Sequence, residues 1–373
     1  MSERLPHKTV IALIALGVLG RLIELVLPVF LESMRAGIGY SNSSLGLIAG
    51  AELSGIIVSS VVMVPLLRGV SATRILPGAI ILFALANLAC AFVSPAWAMA
   101  ILRFLAGLLC EGPLLVIAVA LLGRARGASR IYAAFMATQM TVGALALLGL
   151  GAADTAFGFT GVAIGLSAVT LACLAALPFL PKDSAFPEAS TGEAGRIGAV
   201  VWSVLVAMGL FHLAISGAWA FLQQKGVQLG LSSLDSGGLL AVMMGSGILG
   251  AVYVARRETP RSLLLATCVV AASGMLGAFL SQGVVLFTVS GITLMIAWNL
   301  SVPHQIALMG EDLDAAHHLG FVPAAQGIGL AAGPALTGLL SEPGEYTTAA
   351  TLVIAAMLAS LLLFYRGHRF RPA

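Results

Sequence analysis

Twelve apolar runs, each about twenty residues long, follow one another along the chain, and this repetition constrains the fold more than any motif does. They fall at 9–31, 45–67, 75–94, 96–121, 131–152, 158–180, 199–222, 236–255, 262–280, 283–309, 319–340 and 347–365. A helix rising about 1.5 Å per residue crosses the hydrocarbon of a bilayer in about 20 residues. Inside lipid every backbone N–H and C=O must find a partner within the segment, so runs of this length are read as helices. Composition agrees: 59% of the residues are hydrophobic and 9% charged, where a soluble domain carries about 45–50% and about 25%. The expected fold class is an all-α polytopic membrane protein with twelve transmembrane helices in two six-helix bundles.

Most connections are short, which makes neighbouring helices antiparallel. The longest polar connection, Pro181 to Gly198, divides the chain into an N-terminal bundle (1–180), a central loop (181–198) and a C-terminal bundle (199–373). The first run contains Arg21 and Glu24 and no small-residue cleavage site closes it, so it is expected to be a retained span. The four cysteines (Cys90, Cys110, Cys173, Cys268) lie in apolar stretches without a C-x-x-C pair, which points away from a disulfide framework or a zinc site. A net charge of +3 with no basic block points away from nucleic acid. No phosphate-binding glycine loop and no metal-ligand spacing is present, and no cofactor or enzymatic activity is expected.

Basic residues set the orientation. Fifteen of the nineteen lysines and arginines fall on the side of the two termini and only Arg35 and Lys225, in what reads as solvated loops, on the other; Arg21 and Arg103 lie within spans. Both termini are therefore expected in the cytoplasm of a bacterial inner membrane. Asn42-Ser43-Ser44 matches a glycosylation sequon in the first external loop.

The two halves echo one another. A shift of 191 residues sets Phe30-Leu31 on Phe221-Leu222, Ile38-Gly39 on Leu229-Gly230 and Ser41 on Ser232. Parallel repeats about an axis along the membrane normal are one plan of two-halved transporters. Together with Arg103-x-x-x-Gly107 in the fourth run and Gly329-x-x-x-Gly333-Pro334 in the eleventh, this plan resembles the major facilitator superfamily over essentially the whole chain. Two features depart from the family pattern. Leu67 to Arg74, between the second and third runs, keeps basic residues but lacks the aspartate of the family's G-x-x-x-D-R-x-G-R-R, so the gating contacts attributed to that aspartate are not implied. The fifth run lacks the glycine–proline signature of antiporting members.

Five ionisable residues lie well inside the runs: Arg21, Glu24, Glu52, Arg103 and Glu111. Each costs about 2.5–3.5 kcal/mol at a helix centre on insertion scales, so such residues face partners or a wet cavity. Helical spacing places Gly17, Arg21, Glu24 and Pro28 on one face, and Arg103, Gly107 and Glu111 on another. With two positive against three negative groups, one carboxyl lacks a full partner and is suited to carry a proton. Glu24, Glu52 and Glu111, governed by Arg103, are the candidates for proton coupling. A permanent ion-pair network and direct contact with a substrate are the alternative readings.

The second half offers uncharged polar faces: His212, Ser216, Trp219 and Gln223 in the seventh run, Trp298, Asn299 and Gln305 in the tenth, and Gln326 in the eleventh. These residues, with Arg21, are the expected substrate-binding set; interhelical polar packing is the other reading. The 191-residue shift places Arg21 on His212, which resembles facilitator members that carry organic anions between paired basic residues. The function expected is secondary active transport of a small organic solute, leaning to an organic anion, by a proton-coupled, monomeric carrier working by alternating access. A drug or metabolite efflux antiporter and a non-transporting solute sensor are the alternatives.

Overall fold

The computed structural model describes residues 5–66, 70–181, 197–256, 262–309, 318, 321–341 and 345–369. Its helices are α1 (His7–Leu19), α2 (Leu22–Ile38), α3 (Asn42–Leu66), α4 (Ala72–Ala89), α5 (Ala96–Ala106), α6 (Gly112–Arg124), α7 (Ala128–Ala172), α8 (Ala199–Ala220), α9 (Leu222–Gln228), α10 (Ser233–Arg256), α11 (Leu263–Leu280), α12 (Val284–Ala307), α13 (Val322–Leu340) and α14 (Thr347–Arg369). Most of the central loop lies outside the described residues.

Ten stretches of the described residues are long and apolar enough to cross a membrane. One of them, Arg130–Phe179, has 50 residues and cannot cross only once. Within it α7 folds back at Gly158 (φ 60°, ψ −157°), a left-handed conformation that favours glycine. Beyond this turn Gly161 packs on the Ala153 carbonyl and Gly165 on Leu150, as two antiparallel legs require. The helix α13 has 19 residues and reaches about 28 Å, enough for one more crossing. The described residues are thus consistent with twelve crossings.

Three expected continuous helices are interrupted. The first run breaks at Gly20–Arg21, where Arg21 leaves helical geometry (φ −126°, ψ 8°). A side chain at position 20 would strike the Glu111 carbonyl and the Leu115 amide, so glycine permits the close approach of the fourth run. Beyond the break α2 runs to Ile38, and Lys225 lies buried in α9, which corrects the assignment of both Arg35 and Lys225 to solvated loops. Arg35 is helical and paired with the buried Glu32. The fourth run widens into a π-helical turn at Gly107–Glu111 between α5 and α6. The seventh run breaks at Phe221 (φ −108°, ψ 5°), between α8 and α9.

The internal echo has a structural counterpart. Gly39 and Gly230 end their helices with the same left-handed φ of 86°. Two residues later Ser41 Oγ accepts from the Ser44 amide at 3.2 Å, and Ser232 Oγ accepts from the Asp235 amide at 3.1 Å. Each serine satisfies an otherwise unpaired donor at a helix start. Asn42 lies beside the first of these turns and is buried, so the expected sequon is not displayed in an open loop.

Two long seams join the first six crossings to the last six. In one, α3 packs on α13, with Gly46 and Gly50 against the backbone of Pro334 and Ala331, and Gly338 against the Asn42 carbonyl. In the other, α7 packs on α10, and Gly151 meets Gly237. Small residues let these backbones approach, which is how helices associate when lipid removes the hydrophobic drive. On the face opposite the termini, α2 also packs on α8 and α9. Aliphatic side chains such as Leu145, Leu249, Val289 and Leu362 point outward, as lipid contact demands, and Phe92, Trp97 and Phe157 are exposed near helix ends, where aromatic belts form.

Candidate functional site

Glycine geometry assembles the first cluster. A Cβ at Gly55 would land on the Phe104 carbonyl and one at Gly107 on the Glu52 carbonyl. Without those atoms, α3 closes on the fourth run and Glu52 comes level with Arg103. The Arg103 guanidinium donates to the Glu52 carboxylate through Nε (3.0 Å to Oε2) and through a short Nη2–Oε1 contact. Its Nη1 donates to Asn87 Oδ1 at 2.7 Å and lies 3.7 Å from Cys90 Sγ. The rings of Phe30 and Phe83 sit 5.2 Å and 5.8 Å from the guanidinium carbon, positions that favour a cation. Asn87 in turn donates to Thr170 Oγ1 at 3.3 Å, tying α4 to α7.

Glu111 belongs to the same cluster and is fully buried. The π-helical turn, with fewer degrees of rotation per residue than an α-helix, keeps it on the side of the helix that carries Arg103. Its carboxyl feels the charges of Glu52 and Arg103 and lies near the Ile23 amide, yet no described donor reaches either oxygen with hydrogen-bond geometry. Two buried carboxyls therefore lie near one guanidinium, which is bonded to Glu52 and not to Glu111. A single proton on the carboxyl pair brings the set to neutrality and supplies an O–H that Glu111 or Glu52 can donate to the other.

Arg21 and Glu24 form a separate pair across the helix break. Arg21 donates through Nε (3.1 Å) and Nη2 (2.5 Å) to the two Glu24 oxygens. Glu24 thus takes its partner from its own crossing, and Arg103 takes Glu52. The indole of Trp219, fully buried in α8, donates to the Glu24 carbonyl at 3.1 Å and ties the first crossing to the seventh. His212 is buried, with Nδ1 2.9 Å from the Met208 carbonyl, and it lies close enough to Arg21 to feel its charge.

The other expected substrate-binding residues divide. Ser216 is buried between α8 and α13, 3.5 Å from the Gly329 carbonyl, and Gln223 donates to the Ser233 carbonyl at 3.1 Å. Gln326 Nε2 donates to Gln305 Oε1 at 3.3 Å, joining α13 to α12. Asn299 is half-buried and donates to the Met295 carbonyl at 3.0 Å, near Met140 of α7. Trp298 is half-buried against the apolar core. Arg21, Glu24 and Trp219 form one group, and Gln305 with Gln326 another.

The sequence reading missed Asp154. It lies in α7 before the turn at Gly158 and accepts from Ser33 of α2 through Oδ1 and from Ser233 of α10 through Oδ2 (2.5 Å). It thereby links the first, fifth and eighth crossings on the face opposite the termini. An aspartate close to the end of an apolar run carries no signal that separates a latch from a loop. Asn87 and Cys90 were missed because each looks unremarkable within its own run.

Searched by sequence against curated proteins, the chain matches none. By structure it resembles a D-xylose–proton symporter (TM-score 0.75, 14% identity, covering 98% of each chain). It also resembles the nucleoside transporter NupG (TM-score 0.67, 13% identity, 97% of this chain and 98% of that one). A third likeness is a bacterial homolog of the human lysosomal transporter Spinster (TM-score 0.68, 14% identity, 97% of this chain and 95% of that one). At such identity these likenesses speak for the fold. The sequence model of the Major Facilitator Superfamily matches residues 12–318. With the twelve crossings and the glycine-lined seams in place, the chain belongs to the Major Facilitator Superfamily of membrane transporters.

Proposed function

We propose that the chain is a proton-coupled secondary transporter that moves a small organic solute, with a lean to organic anions, by alternating access. The observation that carries the coupling is the buried set of Glu52, Arg103 and Glu111, in which Arg103 pairs with Glu52 and the nearby Glu111 carboxyl is left without a hydrogen-bond partner. Loss of a proton from this set leaves two carboxylates competing for Arg103. Glu52 sits on α3, the helix that forms the seam with α13, so a change in its pairing acts on the junction where one half moves against the other. Residues 1–180 and 199–373 are the two moving bodies, and residues 181–198 join them.

The lean to an anion rests on Arg21, a cation inside the first crossing whose charge reaches the buried His212 of the second half. An anionic solute between them replaces part of the Glu24 interaction with Arg21 and draws the halves together. Trp219 supplies a flat apolar wall and a link across the halves. The termini are cytoplasmic by the distribution of basic residues, the membrane is a bacterial inner membrane, and the monomer is the working unit. The similar D-xylose–proton symporter shows the same fold in a carrier that moves solute with protons.

The test is uptake into proteoliposomes across a panel of organic acids, sugars and cationic dyes, with and without an imposed pH gradient. Accumulation of an organic acid that collapses with the gradient supports the reading. Accumulation of cationic dyes alone makes the chain an efflux carrier, and accumulation of nothing makes it a sensor.

A further inference from the structure

The break at Gly20–Arg21 gives the first crossing a second helix start inside the membrane, whose free amides the transport reading does not use. The hydrogen bonds of α2 begin with the Leu25 amide on the Arg21 carbonyl at 3.1 Å. The amides of Leu22, Ile23 and Glu24 therefore have no partner within their helix, and they point back toward the break. The side chain of Arg21, which precedes the helix, does not cap them. Inside a crossing such donors need a partner from elsewhere in the protein or from enclosed water. They also form the positive end of the α2 dipole, a place that favours a negative group.

The fourth crossing meets this helix start at Glu111. A Cβ on Gly20 would stand 2.7 Å from the Glu111 carbonyl oxygen and 2.7 Å from the Leu115 amide, so the backbone of the break is seated on this residue. The Glu111 carboxyl is fully buried and lies near the Ile23 amide, and among the described residues neither of its oxygens has a hydrogen-bond partner. The titratable groups that face it are Glu52 from α3, Arg103 from α5 and Cys110 from its own turn. Arg21 and Glu24 of the first crossing are paired with one another. The only charged residues of α4 and α6, Arg74 and Arg124, are exposed at the helix ends. With Arg103 held by Glu52, the two carboxylates repel each other once the proton is gone, and the α2 amides are donors to which Glu111 can turn.

We infer that the start of α2 is the partner of the Glu111 carboxylate: the protonated carboxyl turns to Glu52, and the ionised one accepts from the Ile23 amide. In this step one proton leaves the carboxyl pair for water, and an O–H···O contact gives way to an N–H···O bond. Capture of Glu111 draws the start of α2 onto the fourth crossing, and Arg21 and Glu24, which flank that start, move with it. The inference rests on the proton reading proposed above and names the main-chain group through which that proton is felt at Arg21.

The experiment uses the full chain with the α-hydroxy analogue of isoleucine incorporated at position 23, which replaces the Ile23 amide by an ester and keeps the side chain. Infrared difference spectroscopy follows the band of the protonated carboxyl as pH is stepped, with no solute present. Without the amide the proton should leave about one pH unit higher, a hold about tenfold tighter, because ionised Glu111 has lost its donor. Gly20→Ala pushes the break off the Glu111 carbonyl and should raise the midpoint in the same direction, which keeps the test usable where the ester chain is poorly recovered. A merely structural role lowers the unfolding temperature of both chains and leaves the midpoint in place, and that result overturns this inference alone. So does a midpoint raised equally by an ester at Val29, in the interior of α2. A parent chain without the band overturns the proton reading and this inference together.

Discussion

The guanidinium of Arg103 and the carboxylate of Glu52 meet fork to fork, fully buried, at the level where α3 and the fourth crossing come closest. Every donor of a group so placed needs a partner, because an unpaired charge in this position is far costlier than a paired one is rewarding. Arg103→Ala strands Glu52 and Glu111 together without a cation. Folded yield and thermal stability should fall, by about 3–5 kcal/mol for a fully buried pair. Adding Glu52→Gln to Arg103→Ala should recover a good part of that loss, which a thermal unfolding series in detergent measures. Two losses that simply add would mean that the pair is not a unit.

Gly107 makes this meeting possible. A methyl group there points at the Glu52 carbonyl, so Gly107→Ala must push α3 away from the fourth crossing. Overpacking of this kind costs about 1–3 kcal/mol. The expected outcome is a lowered unfolding temperature with gradient-driven accumulation reduced by more than exchange. An Ala at Gly123, where no atom lies within contact distance, is the control and should be neutral.

Asp154 joins Ser33 and Ser233 across the two halves on the face opposite the termini. Hydrogen bonds to a charged acceptor contribute about 1.5–3 kcal/mol each. Asp154→Ala removes both and should shift the population toward opening of that face by about tenfold or more. Spin labels placed on α2 and α10 near these residues should report a longer distance in the variant. An unchanged distance distribution would remove Asp154 from the closure of this face.

The spans are legible in the sequence because lipid leaves an apolar run of twenty residues only one structure. The partner of Arg103 is less so. Glu24 and Glu52 are equal in charge and depth, and what separates them is the break at Arg21, which gives Glu24 a local partner, and the glycine contact that brings Glu52 forward. The position of Glu111 also depends on a π-helical turn, which changes the helical period within five residues and leaves no mark in composition. Arg35 reads as a loop residue because an arginine beside a glutamate at the end of an apolar run resembles a solvated connection. In the fold the two neutralise each other three residues apart and let the helix continue. The turn at Gly158 and the latch at Asp154 depend on contacts between distant helices, which spacing along one helix cannot convey.

Glu24 and Glu111 answer different tests. Glu24→Gln leaves Arg21 half-exposed and able to reach water, so the chain should fold and bind solute, with the affinity for an acidic solute raised rather than lowered as competition for Arg21 weakens. Binding measured by calorimetry decides this, and a loss of affinity for every acid would place Glu24 in direct contact with the solute.

The central claim is that Glu52, Glu111 and Arg103 together hold one proton that can leave. Infrared difference spectroscopy between acidic and alkaline buffer reads this without a substrate, through the carbonyl stretch of a protonated carboxylic acid in a dry site. The parent chain should show that band at acidic pH, with loss of intensity as pH rises. Glu111→Gln should remove it while the chain remains monodisperse, since glutamine keeps the shape and takes no proton. A parent chain without the band, or a band that persists unchanged in both Glu111→Gln and Glu52→Gln, would contradict the account.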